Sequence, residues 1–230
     1  AAENPCLALG YRRSSPQTPR HLGNAGATDS GYRTAHHGPR IVPPGGAGAM
    51  AFPFAVPRAG SNEQVVVLEV DGLKVTAFRV DHGPVSPAVG YRFDYKGRSL
   101  VISGDTSPAP SVIAASHGVD LLVHEALQPR LVAMMAEALD AKGLKNTAQI
   151  MRDIPNYHTT PEQAAEAARE SGAKELVLSH IVPSIPSRFF NPVFLGDARK
   201  RYSGPIIVGE DGMFFSLPAG SAVIDEQNLL

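Results

Sequence analysis

The sequence predicts a mixed α/β protein with at least one largely antiparallel sheet. Short apolar runs joined by two-residue turns fill the middle of the chain, which is the pattern of β-hairpins. Helical patterns then alternate with apolar strands, which is typical of α/β architecture. The chain has 230 residues, of which 43% are hydrophobic, and this is enough for one domain with a substantial core.

The first segment, residues 1–60, is expected to be mostly irregular. It is rich in Gly, Pro, Ser and Arg and shows neither helical nor strand periodicity. The folded domain is predicted over residues 61–218, with a short tail over residues 219–230. Because the chain begins with Ala1 rather than methionine, we expect an upstream segment, and with it an N-terminal part of the fold that this chain does not contain.

The strands are predicted from short apolar runs bounded by turn residues. The first hairpin turns at Asp71-Gly72 and the second at Lys96-Gly97. A buried strand follows at DLLVHEA, and another at ELVLSHIV is stopped by Pro183. The stretch PIIVGEDGMFFSLP predicts a closing hairpin.

Three helical patterns lie between the two buried strands. The first begins with proline and ends with glycine, and the third follows a threonine cap at Thr159 or Thr160 with Pro161 in its first turn. The three patterns are PRLVAMMAEALDAKG, KNTAQIMRDI and TTPEQAAEAARESGAK.

The charge and cysteine content exclude several classes of function. With 21 basic and 22 acidic residues, the chain has no bulk attraction to nucleic acid or to anionic membranes. Cys6 is the single cysteine, so there is no disulfide framework and no Cys-x-x-Cys pair. We find neither an apolar run of about 20 residues nor a secretion signal. We therefore expect a soluble chain, cytoplasmic by default, with no membrane partner.

Groups able to bind a metal stand at the ends of the apolar strands. His82, Asp105 and His180 each end such a run, and a fourth strand delivers His124 and Glu125. Strand ends at one edge of a sheet form the crevice in which α/β proteins bind ligands. Two imidazoles and a carboxylate suit zinc, or manganese or iron, better than calcium or magnesium.

The other histidines carry weaker signals. His36 and His37 are adjacent, so their side chains do not easily reach one metal, and solvated loop is the better interpretation. His21 and His117 lie in turn-like contexts without partners. We assign neither of these two a role.

These motifs carry a family resemblance over residues 64–217. The strings are DHGPVSPAVGYRF, VISGDT, LLVHEA, YHTTPEQAAEAA and LSHIVP. In order and spacing they resemble the later motifs of the metallo-β-lactamase superfamily, closest to its ribonuclease Z-like and arylsulfatase-like branch. The resemblance implies the later part of a four-layer αββα sandwich.

The resemblance also implies roles for five residues. Asp105 would bridge two metal ions, with His82 completing one site and His180 the other. Glu125 and His158 would form a proton-donating pair near the leaving group, because a histidine beside a carboxylate has a raised pKa and is a sound general acid. The alternative is structural: His158 caps a helix entry and Glu125 fixes a loop.

The chain departs from the family in one respect. The principal signature, His-x-His-x-Asp-His, is absent from the sequence. That signature normally supplies two ligands to each ion, so the remaining residues fall short of the three protein ligands of ordinary catalytic zinc.

The function implied by the resemblance is metal-dependent hydrolysis, in which two zinc ions activate water for attack on a phosphodiester or other ester. The substrate would be a small-molecule ester or phosphodiester, or RNA. The alternative is a truncated or degenerate, non-catalytic member of the fold. Because the absent segment would cover part of a sheet, we also expect weak metal binding and self-association, for example as a homodimer.

Overall fold

The structure is a computed structural model that describes residues 6–9, as a backbone strand only, and residues 54–230. The described strands are β1 (Cys6–Leu9), β2 (Gln64–Val70), β3 (Leu73–His82), β4 (Val85–Tyr95), β5 (Arg98–Ile102), β6 (Leu121–Leu127), β7 (Glu175–Val182), β8 (Ile206–Val208), β9 (Met213–Pro218) and β10 (Asp225–Asn228). The helices are α1 (Pro110–Ala115), α2 (Pro129–Ala141), α3 (Lys145–Asp153), α4 (Pro161–Ser171), α5 (Asn191–Leu195) and α6 (Ala198–Arg201).

Seven strands form the large sheet in the order β2-β3-β4-β5-β6-β7-β8. The first four are antiparallel neighbours, whereas β5 to β8 are parallel. The predicted hairpin turns are confirmed: Asp71 and Lys96 take left-handed backbone angles, with φ of 49° and 47°, and each is followed by glycine as two-residue hairpin loops require. Helical connections then carry the chain between the parallel strands. The sequence predicted those between β6 and β7, but not α1, α5 and α6.

Three strands form a second sheet in the order β1-β9-β10. The predicted closing hairpin is therefore wrong, because β8 pairs with β7 in the large sheet while β9 pairs with β1 and β10. The physical reason is burial: Phe215 and Leu217 of β9 pack against Leu100, Leu121 and Val177 of the large sheet. This apolar contact between sheets takes the place of pairing between β8 and β9.

The second sheet also adds structure where none was predicted. Strand β1 lies inside the segment expected to be irregular, and the rest of that segment up to residue 53 lies outside the described residues. Strand β10 lies in the predicted tail. Both strands form by pairing with β9: β1 from the other end of the chain, and β10 as the next strand along it. The pairing with β1 is a non-local contact that local composition does not predict.

The two faces of the large sheet carry two apolar cores. One core joins Phe78, Val101 and Leu176 to the apolar sides of α1, α4, α5 and α6. The other core lies between the large sheet and the second sheet. The described residues thus give a helix layer, a sheet and a second sheet, which is the mixed α/β architecture that the sequence predicted.

The three predicted helices correspond to α2, α3 and α4. Helix α4 has the signal that the sequence carries: the Thr160 hydroxyl accepts from the Gln163 amide, and the Gln163 side chain accepts from the Thr160 amide, with Pro161 in the first turn. Thr160, not Thr159, is therefore the cap. In the described part of the chain, no helix has the length and apolar character needed to cross a bilayer.

Candidate metal centre

The candidate site lies at one edge of the large sheet. Strand β3 runs in the same direction as β5, because each is antiparallel to β4, and β5 to β8 are parallel. The carboxyl ends of these strands therefore meet at the same edge. His82 is the last residue of β3, Asp105 follows β5, and Glu125 and His180 lie near the ends of β6 and β7.

The turn after β5 requires glycine in front of Asp105. Gly104 has φ of +65°, and a Cβ added there would lie 2.6 Å from the carbonyl oxygen of Val89. Both the backbone angle and the close contact favour glycine over other residues. The turn therefore ends the buried strand abruptly and leaves the Asp105 side chain 39% exposed at the sheet edge.

His180 projects from a bulge in β7. The register with β6 passes from Glu125 opposite Ser179 to Ala126 opposite Ile181, so His180 is the extra residue. Its φ is +45°, a left-handed angle that is uncommon for a residue other than glycine. Bulges of this kind turn a side chain away from the regular strand direction. The imidazole of His180 is 49% exposed, and its Nδ1 lies 3.6 Å from Asp105 Oδ1.

Glu125 is buried, with 1% of its surface exposed. One carboxylate oxygen, Oε1, accepts from the backbone amides of Thr106 at 3.1 Å and Thr159 at 2.9 Å and lies 3.1 Å from Nδ1 of His158. The other oxygen, Oε2, is buried without a hydrogen-bond partner among the described residues. Two amide donors therefore hold this oxygen in place.

His158 is oriented by Glu125. Because Glu125 Oε1 accepts two other bonds, the proton of this contact lies on Nδ1 of His158, and Nε2 is the free ring nitrogen. Burial alone would lower the pKa of His158, but the hydrogen bond and negative charge of Glu125, with a contribution from Asp105, outweigh it and raise the pKa. The expected contact between Glu125 and His158 is present.

Hydrogen bonds between neighbouring residues bind these loops together. The Thr106 hydroxyl lies 3.2 Å from the Asp81 amide and 3.1 Å from the Asp81 carbonyl oxygen. The Thr159 hydroxyl donates to the Thr106 carbonyl oxygen at 2.6 Å. The ends of β3 and β5 and the turn before α4 are therefore held in one network.

His82 meets the other imidazoles at this edge. Its ring centroid lies 4.9 Å from that of His158, whose ring in turn stacks on His180 at 5.5 Å. The Nδ1 atom of His82 lies 3.0 Å from the carbonyl oxygen of Tyr157. A carbonyl oxygen only accepts, so Nδ1 donates in this contact and Nε2 is the ring nitrogen outside it.

The structure thus brings five predicted residues to one sheet edge, with His158 placed between His82 and His180 and with Asp105 beside His180. Among the described residues, the tightest set of donor atoms comes from Glu125, His158 and His180, which lie within 4.8 Å of one another. Free imidazole nitrogen and carboxylate oxygen are the donors that zinc, manganese and iron accept. The donor chemistry fits a divalent transition-metal ion.

The two remaining histidines of the described residues, His124 and His117, take no part in this cluster. His124 is buried and its Nδ1 lies 2.8 Å from the Glu125 carbonyl oxygen; burial lowers its pKa despite that bond and the Glu125 charge. His117 follows α1, before β6 begins, and its Nδ1 lies 3.3 Å from the Ser171 carbonyl oxygen. His21, His36 and His37 lie outside the described residues.

Sequence reasoning missed the residues that orient the site. Thr106 and Thr159 adjoin predicted site residues, and Tyr157 precedes His158. The two threonine amides and the Tyr157 carbonyl act through the main chain, which leaves no signal in residue type. Only the Thr-Thr-Pro string gave a local signal, and it pointed to the helix cap.

Comparisons with known proteins agree on one family. A family model described as the beta-lactamase superfamily domain matches residues 46–181. The chain is 31% identical over 188 residues to a ribonuclease Z of Mycobacterium avium, which covers 82% of this chain and 59% of that protein. It is also 31% identical over 184 residues to a putative ribonuclease Z of Mycobacterium tuberculosis, which covers 80% of this chain and 71% of that protein.

Two solved structures show weaker similarity. The metallo-beta-lactamase fold protein YhfI of Bacillus subtilis is 19% identical with a TM-score of 0.49, covering 68% of this chain and 53% of that one. The short form of human tRNase Z is 25% identical with a TM-score of 0.44, covering 68% of this chain and 47% of that one. The chain spans 59% of the length of the Mycobacterium avium relative.

Proposed function

The chain belongs to the metallo-β-lactamase superfamily, and on that premise we propose that it is a metal-dependent hydrolase of the ribonuclease Z-like type. The observation that carries the proposal is the meeting of His82, Asp105, Glu125, His158 and His180 at one sheet edge. Imidazoles and carboxylates at the ends of parallel strands are the usual composition of a hydrolytic metal centre.

In this proposal, His82, Asp105 and His180 are the residues that would hold the metal. The expected ion is zinc, with manganese or iron as alternatives. When bound, such ions lower the pKa of water and polarise the ester. The Asp105 and His180 side chains support this role, because their contact of 3.6 Å is too long for a hydrogen bond and leaves their lone pairs available.

Glu125 and His158 form the proton-donating pair. Glu125 holds Nδ1 of His158 at 3.1 Å, and the raised pKa of His158 favours the imidazolium, which would deliver the proton on Nε2 to the leaving oxygen and keep the proton on Nδ1. The threonine amides hold the carboxylate in turn, so the imidazole is fixed before substrate arrives. This preorganisation favours a catalytic role over a purely structural one.

The proposed substrate is a phosphodiester, with RNA as the first candidate. The names of the relatives support this choice, since those proteins are called ribonuclease Z. A small-molecule ester is the other substrate class for the same chemistry.

The first experiment measures metal content and hydrolysis of bis-p-nitrophenyl phosphate and of a short RNA. We expect Asp105→Asn and His82→Gln to lower metal affinity by more than about 100-fold, the upper end of the effect of losing an outer-shell partner. Glu125→Gln should instead keep the metal and reduce turnover by about 100-fold or more, as expected for the loss of general acid catalysis. His117→Gln is the matched control, because that histidine lies outside the cluster.

The alternative is a non-catalytic member of the same fold. Folded protein with weak, substoichiometric metal and no turnover of either substrate would overturn the hydrolase proposal and support this alternative. Loss of metal in Glu125→Gln but not in His82→Gln would overturn the ligand assignment. The ion would then use Glu125, His158 and His180, the set whose donors lie within 4.8 Å of one another.

We also propose self-association through the outer edge of β2. Val66, Leu68 and Val70 of this edge strand are 45%, 46% and 47% exposed, and a shift in the register with β3 lies between Val66 and Leu68. An apolar edge strand of this kind favours pairing with a second copy. Sedimentation should show dimers that Leu68→Lys disrupts, and Lys74→Leu serves as a control on the neighbouring strand. A monomer at every concentration would contradict the proposal.

A further inference from the structure

His82 is oriented by the main chain of a distant segment. Its Nδ1 donates to the carbonyl oxygen of Tyr157 over 3.0 Å, and the two residues are 75 positions apart in the sequence. The ring of Tyr157 stands edge-on to the imidazole, with centroids 5.3 Å apart and an angle of 82° between the planes. The main-chain hydrogen bond therefore holds Nδ1 of His82 as the donor, with the Tyr157 ring beside the imidazole.

Gly83 makes this approach of Tyr157 sterically feasible. Its φ is +51°, and a Cβ added there would lie 2.8 Å from Cβ of Tyr157 and 3.3 Å from its Cγ. Real Cβ atoms do not approach so closely, so any larger residue would push the two segments apart. The hydrogen bond between His82 and the Tyr157 carbonyl therefore depends on the absence of a side chain at Gly83.

The segment that provides the carbonyl also carries His158. Ile154–Asn156 form a single turn of 3-10 helix, Tyr157 caps it, and His158 follows directly. A displacement of this turn would move the acceptor of His82 and the imidazole of His158 together. The contact between Gly83 and Tyr157 therefore couples the two histidines.

We propose that Gly83 and the main-chain carbonyl of Tyr157 are positioning elements for the metal centre, which select the His82 tautomer that offers Nε2 to the ion. The inference rests on the proposed function, in which His82 is a ligand. A ligating histidine binds through one ring nitrogen while the other donates to a carbonyl or carboxylate, and loss of this outer bond lowers metal affinity.

The test compares two glycine substitutions that share the same backbone strain. Gly83→Ala introduces the contact with Tyr157, whereas Gly118→Ala is the matched control. Gly118 has φ of +63°, and an added Cβ meets no atom within 4 Å. Zinc affinity is measured by competition with a chromophoric chelator, and circular dichroism verifies folding. We expect affinity to fall by about 10–100-fold in Gly83→Ala and to change less than about 2-fold in Gly118→Ala.

A second variant restores the space without changing the acceptor. Tyr157→Gly in the Gly83→Ala background removes the side-chain atoms that the new methyl group meets, while the main-chain carbonyl stays. We expect this double variant to regain most of the zinc affinity. Failure to regain it, with the fold intact, would contradict the steric link between the two positions.

A spectroscopic readout makes the test independent of any variant. In the metal-free native chain, nitrogen NMR of the His82 ring should show a protonated Nδ1 and an unprotonated Nε2. The opposite tautomer, or equal zinc affinities for Gly83→Ala and Gly118→Ala, would overturn the inference. If His82→Gln left zinc affinity unchanged, the ligand assignment itself would fail. A strong effect of His82→Gln with no effect of Gly83→Ala would refute only the positioning role.

Discussion

Arg98→Met should destabilise the fold strongly, because Arg98 is the centre of a buried polar cluster at the start of β5, the opposite end of that strand from Asp105 and the candidate site. Its Nε donates to Asp120 at 3.0 Å, and both side chains are only 3% exposed. Its Nη1 donates to the carbonyl oxygens of Pro218, Ser221 and Val223 at 3.1, 2.7 and 2.8 Å. One side chain thus ties β5 to the chain between β9 and β10.

The expected loss of stability follows from what remains after the substitution. Breaking a buried ion pair from one side costs about 3–5 kcal/mol, because the other charge stays buried. Asp120 would keep Lys174 at 2.7 Å and the Ser99 amide at 2.9 Å. These remaining partners place the expected loss at the lower end of the range, about 3 kcal/mol.

The assay is urea unfolding at low protein concentration, with Arg152→Met as the control. Arg152 pairs with Asp140, and the two side chains are 43% and 42% exposed, so its loss should lower the free energy of unfolding by less than about 1 kcal/mol. If Arg98→Met were no more destabilising than Arg152→Met, the buried cluster would not hold the two sheets together as argued.

Two further predictions concern stability. Burial alone would raise the pKa of Asp120, but the bonds to Lys174, Arg98 and the Ser99 amide lower it below its usual value of 3.8. The contribution of Asp120 to stability should therefore be complete above pH 3.8. It should be lost as the pH falls from there through the lower pKa of the folded state. In urea unfolding, the stability gap between the native chain and Asp120→Asn should narrow from pH 5 to pH 3, and a constant gap would contradict the assignment. Thr160→Ala should lower the free energy of unfolding by about 1 kcal/mol through loss of the α4 capping box. The control Thr147→Ala, inside α3, should leave the free energy of unfolding nearly unchanged. Equal losses in the two variants would refute the capping argument.

The elements that the sequence predicted are those with local causes. The hairpins at Asp71-Gly72 and Lys96-Gly97 formed where two-residue turns demand left-handed backbone angles. Helix α4 began at Pro161 because its cap and first turn lie within four residues. Strand β9 was assigned to the wrong partner because local pattern records that a strand is apolar, not which sheet buries it.

The same distinction applies to the candidate site. Strand ends and residue type predicted His82, Asp105 and His180 as neighbours, since parallel direction places strand ends at one edge. The bulge at His180 and its φ of +45° had no signal, because they arise from the register between β6 and β7. The carbonyl of Tyr157 was equally hidden, since every residue carries one.

The residues that hold the loops of the site together differ from the residues proposed to bind metal. Each loop is held by the residue next to a proposed functional side chain: Asp81 beside His82, Thr106 beside Asp105, and Thr159 beside His158. These neighbours make the hydrogen bonds between the loops, and among the described residues the carboxylate of Asp105 and Nε2 of His82 make none. A site built in this way has its donors in place before metal arrives, so less of the binding energy is spent on ordering them. Substitutions at the holding positions should therefore weaken metal binding while leaving every proposed ligand present.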